Sequence, residues 1–258
     1  MENCGVGFWD GNVVFRKIML GLGNSLKAGD AIVFPNKYSI SLDGINDYVN
    51  CGNGSALSMS GDQALTISAW VKPTDISGGE IIVSFGSDTA SGGGKRVALY
   101  MINATVQLAF WNADISVGSI SAGAWSHLAV TYAGGNRNTT NCKGYINGQA
   151  QTVSGGTEAA LDLDDMDFFN IGSDHQPGQP YAGLIDEVAV WNTDLAQADI
   201  DKVYNNGYAS NIGAIQTSNL KAWYRSEDGT GSTLTDKSAS ANNGTMTNGA
   251  TFSSDVPG

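Results

Sequence analysis

The chain has 258 residues, enough to bury one large hydrophobic core, and all-β sandwiches of this length commonly form a single domain. Its 34 glycines and its short Val, Ile and Leu runs between polar turns favour an all-β protein over a helical one. The formal charge of −12 repels phosphate backbones and anionic lipid. Nucleic acid and membrane surfaces are therefore not expected as partners.

Residues 1–37 have mixed apolar character without a clear period and are expected to form an N-terminal arm. They do not combine a basic head with an unbroken apolar stretch, and no run in the chain approaches the roughly 20 apolar residues of a membrane span. We therefore expect the protein to fold in the cytoplasm where it is made. The three cysteines are widely spaced and are expected to be reduced thiols.

Strand signals begin at Tyr38 and recur between turns towards the end of the chain. Alternation of apolar and polar residues predicts strands in ALTISAWVKP (64–73), EIIVSFG (80–86), KRVALYMINATVQLAFW (95–111) and WSHLAVTY (125–132). Asn147-Gly148 is the strongest hairpin signal, because both residues tolerate positive φ in a tight turn. Two further strands are predicted in FFNIGS and YAGLIDEVAVW.

The segment TDLAQADIDKVYNNG then switches to helical spacing and predicts one short helix near residues 194–206. Asp194 and Gln197 resemble a capping box at its start. A last strand, LKAWYRSE, precedes a polar tail, so residues 219–258 are expected to close the sandwich. The predicted fold class is all-β: an antiparallel two-sheet sandwich over residues 38–258, preceded by the arm.

Taken together, SISLDGINDYV, LTISAWVKP, WSHLAVTY, GYINGQ and GLIDEVAVWNTDLAQADIDKVYNNG resemble, in order, the laminin-G-like, concanavalin-A-like lectin and glucanase jelly-roll superfamily. The final strand segment resembles one that many members carry before the Asp-Gly motif, so the strand order is rotated here. A rotated order leaves the same sandwich because the termini of a jelly roll lie close together. That order, the lead-in NKYSISLDG and the absent signal peptide are similar to features of jelly-roll proteins in tailed-phage virions, marine phage especially.

The resemblance implies a structural calcium where the first strand meets a late one. The matching positions are Asp43, Gly44 and Asp186, with Asp47 or Asn46 as additional ligands, because calcium takes six to eight oxygens. The alternative is that Asp43-Gly44 simply makes a turn and that Asp186 caps a neighbouring group.

Glycanases of this superfamily carry a catalytic strand with spaced glutamates, and the nearest acidic stretch here is LDLDDMDFF (161–169). All of its carboxylates are aspartates, and their spacing does not match that of the catalytic strand, so we expect a solvated loop and no enzyme activity. His127 and His175 lack the sequence context of known catalytic motifs. His127 is expected to be a strand residue satisfied by its neighbours.

Strand parity places the tryptophans opposite the aliphatic face of their strands, so they should point away from the space between the sheets. Trp70, Trp125 and Trp191 are expected to be covered again by other parts of the chain. Trp111 precedes a polar turn and is the better candidate for exposure. Trp111, His175 and Tyr181 are predicted to contact a glycan or a partner subunit.

These features favour a non-catalytic virion structural, decoration or fibre-associated protein of a phage, whose jelly-roll surface binds glycans. It would be made in the host cytoplasm and reside on the virion surface. The alternative is a free-standing lectin-like module, and a glycan hydrolase ranks third. The expected partners are other virion subunits, in a homo-oligomer, and cell-surface or environmental glycans. The arm would anchor the subunit or, alternatively, cover a sheet edge of its own subunit.

Overall fold

The computed structural model describes residues 35–87, 93–175 and 178–258, all of which belong to one compact unit, Ala31–Gly258. Apart from residues 35–37, the predicted arm lies outside the described residues. In the described part of the chain, two antiparallel sheets pack face to face with one short α-helix, as predicted. No helix in that part is both long and apolar enough to cross a membrane.

The first sheet has eight strands, and seven of them lie side by side as hydrogen-bonded neighbours in the following order. They are β10 (Gln149–Ala150), β9 (Cys142–Ile146), β8 (Ser126–Tyr132), β3 (Leu65–Pro73), β13 (Ala182–Trp191), β1 (Ser39–Asp43) and β17 (Thr251–Ser253), with β14 (Leu220–Tyr224) also paired to β13. The Asn147-Gly148 hairpin is confirmed between β9 and β10, with φ of +50° and +74° at its two residues.

The second sheet has nine strands. In spatial order they are β11 (Ser154–Gly155), β7 (Ile115–Ser119), β6 (Thr105–Ala109), β5 (Arg96–Ile102), β4 (Gly79–Gly86), β12 (Phe168–Ile171), β2 (Tyr48–Asn50), β16 (Gly244–Thr247) and β15 (Thr233–Leu234). The C-terminal strands thus join both sheets: β14 and β17 extend the first, and β15 and β16 extend the second.

The core lies between the inner faces of the two sheets and consists of aliphatic and aromatic side chains in strand alternation. On β5, for example, Val97, Leu99 and Met101 are fully buried in this core. Edge-to-face packing of Phe85 on Phe169, with ring centroids 6.0 Å apart, joins two neighbouring strands. Because both inner faces are continuous apolar surfaces, the hydrophobic effect fixes which residues of each strand face outwards.

The helix α1 (Gln197–Tyr204) covers the outer face of the first sheet. Beneath it lies a second apolar cluster that includes Trp191, Val203 and Trp223. Trp70 stacks on Tyr204 of the helix, with ring centroids 5.8 Å apart. Trp70 and Trp191 therefore point away from the core and are covered again, as predicted. Trp125 is half-buried and donates a hydrogen bond to Asp255 at 2.8 Å.

The start of the helix differs from the sequence prediction. Ala196 occupies the N-cap position without a side-chain cap, so the predicted capping box of Asp194 and Gln197 is not formed. Gln197 instead donates its amide to the carbonyl of Gly148 at 2.8 Å, which ties the helix to the β9–β10 hairpin. Asn205, at φ +47°, follows the last helical residue.

His127 also departs from its prediction. Its side chain is 1% exposed and packs against the rings of both Trp70 and Tyr204. Both of its ring nitrogens are buried without a hydrogen-bond partner among the described residues. Burial lowers the pKa of His127 to about 3, so the imidazole is neutral at physiological pH.

Candidate functional site

Within the described residues, α1 covers the first sheet and no helix covers the outer face of the second sheet, which carries an aromatic and polar cavity. Because Val97 and Leu99 face the core, the alternation on β5 turns Arg96, Ala98 and Tyr100 outwards. The cavity measures about 360 Å³. Its lining combines apolar, aromatic and amide side chains: Ile81, Tyr100, Ile102, Gln107, Ala109, Trp111, Asp114 and Gln179. We call it the Trp111 cavity.

Trp111 is held in an unusual backbone conformation at the wall of this cavity. Its φ is +67°, in the left-handed region that bulky residues rarely adopt. The carboxylate of Asp114 accepts hydrogen bonds from the backbone N–H of Phe110 at 2.6 Å and of Trp111 at 3.0 Å. These bonds stabilise the turn, and the indole remains partly exposed on the outer face.

The opposite wall of the cavity is formed by Tyr100 and Gln179. The Gln179 amide donates a hydrogen bond to the Tyr100 hydroxyl at 3.0 Å. Tyr100 lies across Gly79, where a Cβ atom would come within 2.0 Å of the hydroxyl. Burial raises the pKa of Tyr100, so it stays a neutral phenol able to donate and accept hydrogen bonds.

Arg96 connects Trp111 with a loop that follows β12. Its guanidinium lies over the Trp111 ring, 4.5 Å from the centroid, and Nη1 lies 3.0 Å from Asp174 Oδ2. The same nitrogen is 3.0 Å from His175 Nδ1. Ser84 donates a hydrogen bond to the carbonyl of Ser173 at 2.7 Å and fastens the loop to the sheet.

Of the three predicted contact residues, two lie on this face and one does not. Trp111 and His175 both contact Arg96. Tyr181 is fully buried in the core, which contradicts its predicted contact role. Its position directly after a Gly- and Pro-rich loop suggested exposure, but the side chain turns into the space between the sheets at the start of β13.

The predicted pairing of Asp43 with Asp186 is also wrong, because the register keeps the two carboxylates apart. In the β1–β13 pair Asp43 lies opposite Ala182, and Ile40 lies opposite Ile185. Asp186 is therefore four residues along the strand from the partner of Asp43, roughly 13 Å at about 3.4 Å per residue. Calcium ligands lie at about 2.3–2.6 Å from the ion, so these residues do not fit one shared site.

Asp43 and Gly44 instead form a turn, the alternative given for this motif. Asp43 Oδ1 accepts the backbone N–H of Ile45 at 2.8 Å, and this hydrogen bond lowers the pKa of Asp43. Gly44 has φ +75°, and a Cβ there would lie 2.6 Å from the Cβ of Ala182. The glycine is required by this turn and by the close approach of β13.

Asp186 lies at a bulge of β13 in a fully buried environment. Its Oδ1 accepts the backbone N–H of Glu187 at 2.8 Å, and its Oδ2 accepts the side-chain amide of Asn36 at the same distance. Burial, followed by the charge of Glu187, raises the pKa of Asp186 well above its usual range. Asn36 Oδ1 is buried without a hydrogen-bond partner among the described residues.

Glu187 and Arg225 complete the surroundings of Asp186. Burial raises the pKa of Glu187 to about 7 even though Arg225 Nε lies 3.1 Å from its Oε1. No group of three or more His, Cys, Asp and Glu side chains that could hold a metal is found within the described residues. A cation at Asp186 would therefore also need backbone or water oxygens as ligands.

The acidic stretch before β12 is a loop, as expected. Asp162 forms an ion pair with Lys95. Asp164 accepts the backbone N–H of Gly61 at 2.8 Å, and Asp167 accepts the Ser87 hydroxyl at 3.0 Å. These aspartates hold neighbouring loops together.

Sequence reasoning missed Arg96, Gln107 and Gln179. The first two share the outward parity of Tyr100 and Trp111 on the β5–β6 hairpin, so the alternation used for the tryptophans could have found them. Gln179 follows β12 in a loop without a periodic signal, and its φ of +52° turns it towards Tyr100.

Comparison with solved structures gives the same fold at low sequence identity. A candidate carbohydrate-binding protein of Bacteroides ovatus is similar with a TM-score of 0.59 and 18% identity, over 87% of this chain and 62% of that one. The chain thus spans less than two thirds of that protein. The CBM40 module of a Ruminococcus gnavus sialidase, solved with α2,3-sialyllactose, is similar with a TM-score of 0.53 and 16% identity, over 65% of this chain and 96% of that one.

A heptameric pentraxin of Limulus polyphemus is similar with a TM-score of 0.50 and 16% identity, over 70% of this chain and 89% of that one. A search of curated protein sequences gave no match. The model of the family described as the concanavalin A-like lectin/glucanases superfamily matches residues 43–201, which is more than half of the 258 residues. The chain therefore belongs to the concanavalin A-like lectin/glucanase superfamily.

Proposed function

We propose that this chain is a non-catalytic carbohydrate-binding module and that a neutral sugar ring binds in the Trp111 cavity. The observation that carries the proposal is the partly exposed indole of Trp111, which Asp114 holds at the wall of a cavity with apolar, amide and phenol groups. The similar structures from Bacteroides ovatus and Ruminococcus gnavus are of a candidate carbohydrate-binding protein and of a module solved with a sugar, which supports the proposal.

The cavity offers both kinds of contact that a sugar needs. An aromatic face packs against the C–H groups of a pyranose ring and excludes water from them. Gln107 and Gln179 supply amide donors and acceptors, and Tyr100 supplies a hydroxyl, for the ring hydroxyls. Small-molecule sites usually combine apolar and aromatic surface with a few convergent polar groups, and this cavity contains both.

The charges favour a neutral sugar over an anionic one. Asp114 is a carboxylate in the described lining of the cavity, and the adjacent cation, Arg96, already pairs with Asp174 at 3.0 Å. The chain carries a net charge of −12. A carboxylated or sulfated sugar would meet repulsion at short range and from the whole protein.

The non-catalytic part of the proposal rests on the roles of the acidic side chains. Retaining glycoside hydrolysis needs two carboxyl groups about 5–5.5 Å apart that act on one bond. Asp114 is bound to backbone N–H groups, and Asp174 is paired with Arg96. Incubation with laminarin and related glucans should release no reducing ends, and release that is lost on mutating Asp162 and Asp167 would refute this part.

The binding proposal is tested by a glycan array probed with wild type, Trp111→Ala and Trp125→Ala. Trp125 is a matched control, since it is also partly exposed but lies on the first sheet beside Asp255. We expect wild type and Trp125→Ala to bind neutral glycans and to bind sialylated ones more weakly, and Trp111→Ala to bind neither. Equal loss in both variants, or binding to sialylated glycans alone, would contradict the proposal.

A second candidate is a virion structural protein that presents this glycan site. The rotated strand order favours it, since β14, β16 and β17 follow the helix in sequence and still pair with β13, β2 and β1. This second candidate rests on the resemblance of that order to the one in jelly-roll proteins of tailed phages. Under this proposal the partners are other virion subunits, and the location is the virion surface.

A further inference from the structure

The Trp111 cavity has an apolar part and a polar part, which meet at Tyr100. The registers place Ile81 of β4 and Gln107 of β6 directly opposite Tyr100, one on each neighbouring strand. Ile102 follows two residues further along β5, on the same face of the sheet. All four residues belong to the lining of the cavity. Isoleucine side chains therefore adjoin the phenol on two sides, and an amide adjoins it on a third.

The apolar part belongs to a hydrophobic cluster on the outer face of the second sheet. Its members are the buried residues Ile81, Ala98, Tyr100 and Ala109, with Ile102 and Trp111 packed against them. Isoleucine side chains offer no hydrogen-bond partner. A sugar hydroxyl against Ile81 and Ile102 would therefore lose its bonds to water without replacement, whereas a methyl group gains by leaving water.

The polar part presents a donor and an acceptor side by side. The Tyr100 hydroxyl accepts the Gln179 amide at 3.0 Å, so its own hydrogen points elsewhere and can be donated to a ligand. Gln107 donates its amide to Ser116 Oγ at 3.3 Å, which holds the side chain and leaves Oε1 able to accept an N–H group. Because Tyr100 and Gln107 are cross-strand neighbours, their Cβ atoms lie about 4.5–5.5 Å apart. The donor and the acceptor can therefore contact one small group of a ligand.

We propose that the Trp111 cavity selects a neutral sugar that carries an acetamido group, an N-acetylhexosamine. This inference rests on the proposed function of the cavity and names the class of sugar. The sugar ring packs on the indole of Trp111. The acetamido carbonyl accepts the hydroxyl hydrogen of Tyr100, and the acetamido N–H donates to Gln107 Oε1. The methyl group packs against Ile81 and Ile102.

Other neutral or cationic sugars satisfy only some of these contacts. A hexose has hydroxyls but no methyl group for the isoleucines. A 6-deoxyhexose has a methyl group but no adjacent N–H and carbonyl. A free amino sugar would place an ammonium group against Ile81 and Ile102, which costs more than burying a neutral amide with its hydrogen bonds made.

The test compares sugars that differ in one substituent. Dissociation constants are measured by NMR titration, which reaches weak affinities, for the methyl glycosides of N-acetylglucosamine, glucose, glucosamine, N-acetylgalactosamine, galactose and fucose. The readout is the ratio of affinities for each N-acetylated sugar and its hydroxyl counterpart. In wild type we expect a ratio of about tenfold or more, the discrimination that a pocket obtains from one methyl group and matched hydrogen bonds.

Two variants remove the two parts of the subsite separately. Ile102→Thr keeps a β-branched residue on β5 and replaces hydrocarbon by a hydroxyl, and Gln107→Met keeps the length of the side chain and removes the acceptor. Both should lower the ratio towards one. Thr105→Val is the matched control, because Thr105 lies opposite Ile102 in the β5–β6 pair and outside the described lining. It should keep the wild-type ratio.

The outcomes separate this inference from the proposed function. Equal affinity for N-acetylated and hydroxyl sugars, tighter binding of the fucoside or the glucosaminide, or a ratio unchanged in both variants would overturn the acetamido subsite and leave the proposed function intact. Binding to none of the sugars, or a Trp111→Ala protein that binds them as wild type does, would overturn both.

Discussion

Trp111 combines a strained backbone with a partly exposed aromatic ring. A bulky residue in the left-handed region costs on the order of 1–3 kcal/mol, and such strain is concentrated at functional sites. Here two hydrogen bonds to Asp114 offset the cost. The backbone conformation therefore presents the indole on the outer face beside Arg96, where it is available to a ligand.

His127 gives a prediction about the pH dependence of stability. Burial lowers the pKa of His127 from 6.5 to about 3. Below pH 6.5 the unfolded chain therefore binds a proton at this residue that the folded chain does not bind. The free energy of unfolding is thus unaffected by this group above pH 6.5 and decreases as the pH falls from 6.5 towards 3. His127→Phe keeps an aromatic ring packed against Trp70 and Tyr204 and removes the titrating group. At pH 4.5 the variant should retain on the order of 2–3 kcal/mol that the wild type has lost.

The measurement is urea unfolding of both proteins between pH 7 and pH 4.5. His175→Gln is the control, because it removes the chain's other histidine, which is partly exposed, and it should follow the wild-type curve. If the free energy of unfolding depended on pH in the same way for His127→Phe and wild type, the imidazole would not be neutral and buried as described.

Asp186 gives a prediction about calcium. We propose that the structural calcium implied by the sequence resemblance binds at the carboxylate of Asp186 and not at Asp43. A ligand that binds only the folded state raises stability by mass action. The melting temperature should rise with calcium in wild type and in Asp43→Asn, and it should not respond in Asp186→Asn. A melting temperature indifferent to both calcium and chelator would exclude the site.

For single residues, the sequence predicted which way a side chain points better than it predicted which residues the side chain contacts. The outward direction of Trp70, Trp111 and Trp191 follows from strand alternation alone, a local property. The partner of Asp43 depends on the register between β1 and β13, two strands that lie far apart in the sequence. Tyr181 shows the same limit, since the direction of a residue at a loop end is set by tertiary packing.

The β9–β10 hairpin and α1 form one structural unit on the first sheet. Gly148 has φ +74°, and a Cβ there would lie 2.6 Å from Tyr204 Cδ1 of the helix. Gly123 also has φ +74° but has no atom within 4 Å of such a Cβ. A substitution at Gly123 therefore tests only the cost of the left-handed backbone. A substitution at Gly148 tests that cost together with the contact between hairpin and helix.

Alanine variants of these two glycines should differ in stability. Gly123→Ala should lower the free energy of unfolding by about 1 kcal/mol, the cost of the left-handed conformation for alanine. Gly148→Ala should lower it by a further 1–3 kcal/mol, roughly the cost of overpacking, because Tyr204 must move. Thermal or urea unfolding of the pair measures the difference, and equal losses would show that the hairpin does not pack on the helix.

Elements with strong local signals were predicted correctly, and the N-terminal cap of the helix was not. Asn147-Gly148 encodes its turn in two residues, whatever surrounds them. Gln197 matched the capping pattern, but in the folded protein its amide finds the carbonyl of Gly148, a distant partner in sequence. Tertiary contacts thus replaced the local cap.

For the whole molecule, the N-terminal residues provide a test of assembly. Residues 35–37 contact the sandwich: Pro35 O accepts a hydrogen bond from Arg225, Asn36 binds Asp186, and the Lys37 N–H donates to Glu227 at 2.7 Å. A protein lacking residues 1–34 should therefore keep these bonds. We expect it to remain folded and to lose the self-association proposed for the full chain, as measured by light scattering. An unfolded product would show that the arm completes its own core, and an unchanged oligomer would show that it plays no part in assembly.

The central claim is that the outer face of the second sheet binds a neutral glycan. The most direct measurement is backbone and indole NMR of the wild type, titrated with the neutral oligosaccharide that binds most strongly on the array. We expect chemical-shift changes at the Trp111 indole and along β5 and β6, with the helix side of the first sheet unaffected. Shifts confined to the first sheet or to its helix, with Trp111 unchanged at saturation, would contradict the claim.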